Sequence, residues 1–75
     1  MGMPAADMPA VLLRSRAESR KEIDRHPMEE IARGTLARMV RIALSDPDKL
    51  LWPYSILVDN RTFAGDAILQ LEKYS

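Results

Sequence analysis

The stretch Pro27–Ser45, "PMEEIARGTLARMVRIALS", decides the fold. Met28, Ile31, Ala32, Leu36, Met39, Val40, Ala43 and Leu44 recur at threes and fours, the spacing that lines one face of an α-helix. Pro27 suits a first helical turn, and a residue before proline, here His26, is pushed out of the α region. Glu29 and Glu30 fall in the first turn, where the helix dipole favours anions, and Arg38 and Arg41 lie nearer the far end. The reading is one central helix, the spine of the domain. Gly34 lies on its polar side at a cost of about 0.8–1.0 kcal/mol relative to alanine. It marks either a close approach by another backbone or nothing.

On the N-terminal side, Ala10–Arg25 is rich in helix formers, with Arg14/Glu18 and Arg20/Asp24 spaced i,i+4. Its apolar stripe is poor: Val11, Leu12 and Leu13 crowd one end, followed only by Ala17 and Ile23. A helix that is mostly solvated, docked through its charges or frayed is expected there, preceded by a mobile arm over Met1–Pro9 with its two prolines. On the C-terminal side "SDPDK" reads as the start of a short third helix. Ser45 or Asp46 is its cap, Pro47 its first residue and Asp48 part of its first turn, and Pro53 ends it. "YSILVDN" is ambiguous between a strand and a buried connector. From Thr62 a last helix is expected, with Phe63, Ala67, Leu71 and Tyr74 on one face, widened by Ala64 and Ile68.

The expected fold is therefore all-α, a small bundle of three to four helices over residues 10–75 behind a flexible arm, residues 1–9. An α+β alternative competes with it. There "ILV" and "ILQLEKY" pair as a C-terminal β-hairpin around "DNRTFAGD", because Leu69 and Leu71 alternate with Gln70 and Glu72.

With 75 residues the chain is a single domain whose core leaves a thin margin over conformational entropy. Its 47% hydrophobic and 29% charged residues place it outside the disordered class. Eleven basic residues balance eleven acidic ones, so no overall field attracts a polyanion or a membrane surface. Cysteine is absent, which removes disulfides, thiolate metal sites and a thiol nucleophile. No apolar run approaches the roughly 20 residues of a membrane span. The start "MGMPAADMPAVLL" lacks the basic and apolar regions of a signal peptide, and a cytoplasmic location is expected. Gly2 has the position of a myristoylation acceptor, but Ala6 stands where Ser or Thr is wanted.

Catalytic and cofactor signatures do not survive their structural readings. His26 is the single histidine, too few for a multi-histidine metal site, and reads as a polar residue at a helix junction. Asp46 and Asp48 form a D-x-D, but Pro47 between them matches helix initiation, and the spacing is not that of an EF-hand. Gly65 is isolated, and no glycine-rich phosphate loop is present. "RSRAESRKEIDR" suggests phosphate contact, yet Glu18, Glu22 and Asp24 interrupt it and no aromatic residue is interleaved for stacking. No cofactor and no metal are expected.

What stands out is the cluster Leu50, Leu51, Trp52, Tyr54, Ile56, Leu57 and Val58 around Pro53. It serves either as a lid on the spine helix or as a display of Trp52 and Tyr54 as anchors for another chain. The expected function is a non-catalytic regulator, adaptor or inhibitor that binds another protein and forms a homodimer. Trp52 and Tyr54 are its anchors, Leu36, Met39 and Val40 its apolar face, and Arg14, Arg16, Arg20 and Lys21 its steering charges. The competing class is a small helical DNA-binding regulator, and the third a minimal enzyme using His26.

Overall fold

The computed structural model describes residues 4–74, apart from the side chains of Asp24, Lys73 and Tyr74. Gly2, the carboxylate of the Arg20/Asp24 pair and the Tyr74 ring of the terminal apolar face thus lie outside what is described. The chain forms β1 (Pro9–Ser15), β2 (Met28–Thr35), α1 (Leu36–Leu44), β3 (Tyr54–Val58), β4 (Arg61–Ala64) and α2 (Ala67–Tyr74). One 3-10 helix, Arg20–Arg25, interrupts the connection from β1 to β2. The strands make one antiparallel sheet in the order β2-β1-β3-β4. This α+β architecture overturns the expected all-α bundle. It also corrects the hairpin alternative: "ILV" pairs with Arg61–Ala64 across a two-residue turn, and Ile68–Leu71 belong to α2.

Each error has a local cause. Val11-Leu12-Leu13 is not the crowded end of a helix but the middle of a strand with a neighbour on both sides, which rewards a continuous apolar run. In β2 the register passes from Leu12↔Ala32 to Leu13↔Glu30, so Ile31 is an extra residue, a β-bulge. The bulge shifts the phase of the strand, and a phase-shifted alternation puts Met28, Ile31 and Ala32 at intervals that imitate a helix. The helix begins only at Leu36, where Thr35 Oγ1 accepts from the Arg38 N–H at 3.2 Å. Two more of its free N–H groups are satisfied from residues before β1: Leu36 donates to the Met8 carbonyl and Ala37 to the Ala6 carbonyl, both at 2.9 Å.

"SDPDK" makes capping bonds without a helix behind them. Asp46 Oδ2 accepts from the Asp48 and Leu50 N–H groups, and Lys49 takes a left-handed φ of 56° that ends the turn. Leu51–Tyr54 then forms a second turn, closed by Tyr54 N–H donating to the Leu51 carbonyl at 3.0 Å, and it leads straight into β3. Between β3 and β4, Asp59 and Asn60 have φ of 53° and 59°, the pair of left-handed residues of a type I′ hairpin turn.

One face of the sheet carries Ala10, Leu12, Ile56 and Val58, and α1 and α2 cover it with Leu36, Met39, Val40, Ala43, Ile68 and Leu71. Among the described residues no helix is long and apolar enough to cross a membrane.

Candidate functional site

The residues singled out from the sequence separate into three groups. Leu36, Met39 and Val40 point from α1 into the core, at 3% exposure or less. Their surface is used within the protomer. Arg20 and Lys21 are exposed on the 3-10 helix between β1 and β2. Arg14, Arg16, Trp52 and Tyr54, distant in sequence, are brought together where the end of β1 meets the turn before β3. The junction is backbone-bonded: Ser15 N–H donates to the Pro53 carbonyl at 2.8 Å, extending the β1–β3 ladder by one bond.

Here a cleft of about 550 Å³ is lined by Arg14, Arg16, Glu18, Asp48, Leu50 and Trp52, with buried Pro53 and Ser15 beneath. Tyr54 forms its support. The ring is buried, and its hydroxyl donates to Asp46 Oδ1 at 2.6 Å. That bond, with help from the Leu50 and Asp48 N–H groups and from Arg14, holds the Asp46 carboxyl below its ordinary range against the opposing effect of burial. Burial first, and then the bond and charge of Asp46, push the Tyr54 phenol up. A buried carboxylate with three donors fixes the loop Asp46–Leu50, and so fixes one wall of the cleft.

The Arg14 guanidinium lies over the Tyr54 ring, 5.5 Å from its centroid. It is oriented from one side by a cation–π contact, and among the described residues no carboxylate stands within ion-pair distance of it. Arg16 is held across the strands by Glu29 at 2.9 Å. Trp52 is half-buried, and Leu50 keeps 42% of its surface beside it. The cleft therefore offers an apolar wall next to an oriented cation, a chemistry of binding. His26 is exposed in the β1–β2 connection, and among the described residues no three His, Asp or Glu side chains gather as a metal site.

Sequence reasoning did not place Ser15, Glu18 or Asp48 in this cleft, because their meeting depends on the pairing of β1 with β3. The signal was present in Trp52-Pro53, which marks a turn, and in the apolar run on either side of it. No protein-family model, no curated protein and no solved structure matches this chain.

Proposed function

We propose that the protein is a non-catalytic binding module, a regulator, adaptor or inhibitor that occludes or bridges the surface of another protein. The Trp52 cleft takes a partner segment that carries a carboxylate next to a large apolar side chain. One observation carries this reading: the Arg14 guanidinium lies over the Tyr54 ring, with no carboxylate of the described residues within ion-pair distance, directly beside the apolar wall of Trp52 and Leu50. The strip leading away from it, Arg14–Arg25, holds five basic residues (Arg14, Arg16, Arg20, Lys21, Arg25) against three acidic ones (Glu18, Glu22, Asp24), which favours an acidic partner. A cytoplasmic location belongs to the same proposal.

The test is an affinity capture with the wild-type chain, followed by titration of the partner obtained against Trp52→Ser and Arg14→Gln. Each substitution should weaken binding by about tenfold or more, as expected for an anchor residue and an oriented charge. A partner bound equally by both variants would refute the cleft. Duplex DNA bound at low salt and lost steeply as salt rises would favour the DNA-binding class in its place.

A further inference from the structure

The sheet has a second face, and its composition can be read from the register. Two rows of side chains cross it: Arg33, Val11, Leu57, Thr62, and next to it Glu30, Leu13, Ser55, Ala64. Exposed Arg33 and Glu30 stand at the β2 end, half-buried Val11 and Leu13 follow on β1, exposed Leu57 and buried Ser55 on β3, and exposed Thr62 and Ala64 at the β4 end. Both helices lie on the opposite face. Leu57 keeps 39% of its surface and Ile31, in the bulge beside Glu30, keeps 47%. The sheet edges are poorly suited to adding a strand. β2 is bulged and bears Glu29, Glu30 and Arg33, and β4 is only four residues long. Association is thus directed to the face and away from the edges.

We infer that this open face is a self-association surface, and that its occupant is a second copy of the chain, sheet against sheet. The charges select the arrangement. A two-fold axis running across the strands, midway between the two rows, lays β2 on the partner's β2 and each row on the other. Arg33 of each copy then faces Glu30 of the other, and Val11 faces Leu13. In one protomer Arg33 Nε and Glu30 Oε2 are 2.7 Å apart but well exposed, a pair that adds little on its own. In the dimer the same four groups close into one neutral cluster at the rim of an apolar patch. A chain with eleven charges of each sign carries no net charge to oppose the approach.

The area sets the strength. Four strands at about 4.8 Å and five residues at about 3.4 Å give a face of roughly 320 Å² in projection. That is well under the roughly 800 Å² each partner buries in a standard stable interface, so the dimer is weak and reversible.

Sedimentation equilibrium of the full chain over a wide concentration range tests this. A monomer–dimer equilibrium is expected. Glu30→Arg brings four cations together and should weaken it about tenfold or more, and the double exchange Glu30→Arg/Arg33→Glu should restore it. Leu57→Ser should weaken it as well. Trp52→Ser should leave it unchanged, which separates this surface from the binding cleft. All four positions are exposed or half-exposed, and thermal melts confirm that each variant is folded. A strict monomer at every concentration, a dimer indifferent to Leu57→Ser and Glu30→Arg, or a double exchange no better than the single one would each overturn the inference.

Discussion

Ile56 and Leu57 are consecutive residues of β3 and nearly the same in chemistry, yet one has no accessible surface and the other keeps 39%. Successive side chains of a strand point to opposite faces, and only one face of this sheet is roofed by helices. The comparison teaches that aliphatic content in so small a protein does not measure its core. On the roofed side an aliphatic residue contributes to the stability of the protomer. On the open side the same type of residue is left at the surface of the protomer.

Substitution at these two neighbours gives the sharpest contrast. Ile56→Ala should cost about 2–5 kcal/mol of unfolding free energy, because the roofed site cannot fill the cavity. Leu57→Ala should cost less than about 1 kcal/mol, since much of its side chain is already in water. Urea denaturation of both variants checks this, and similar midpoints would mean that the two faces are not distinct. A smaller effect is expected two strands away, in β2. A Cβ on Gly34 would stand 3.3 Å from Met39 Cε and 3.6 Å from Arg38 Cδ, under α1. Gly34→Val should therefore cost about 1–3 kcal/mol by overpacking. Arg33→Val, on the open face, should change unfolding by no more than about 0.5 kcal/mol.

The smallest effect concerns pH. Asp46, whose carboxyl is held low by the Tyr54 hydroxyl, adds stability above the ordinary aspartate pKa of about 3.9, and this is lost as pH falls through the lower folded value. Tyr54, held high by burial and by Asp46, adds stability below about pH 10, and this is lost as pH rises through its folded value. Thermal melts across the acid range should show a decline in wild type that is shallower in Tyr54→Phe. An identical acid limb in both would show that this bond carries none of the pH dependence.

The second half of Pro27–Ser45 was readable from the chain alone. Leu36, Met39, Val40 and Ala43 have helical spacing and line the buried face of α1. The first half was not, because an edge strand with a bulge shows no two-residue period, and what holds Met28–Thr35 extended is β1, thirteen or more residues earlier. Arg14/Glu18 has the spacing of an intrahelical pair, whereas Arg14 lies in a strand over Tyr54. Ser45 or Asp46 has the character of a helix cap; Asp46 does accept two backbone N–H groups, but no helix follows and the chain turns away after Lys49. Of the candidate binding residues, Arg14 and Arg16 are exposed and Trp52 is half-buried, between the lid and the anchor that the sequence leaves open. The open-face row of Val11 and Leu57 was invisible, since only strand pairing distinguishes it from the core.

The bulge at Ile31 also says something about how the length of this chain can drift. Loss of that single codon would join Glu30 to Ala32 opposite Leu13 and Leu12, leaving every remaining cross-strand neighbour on its present side. Loss of a residue from the middle of β1 would turn half of that strand inside out. Insertions and deletions among descendants of this sequence therefore have a permissive address within the sheet itself, in addition to the loops that usually absorb them.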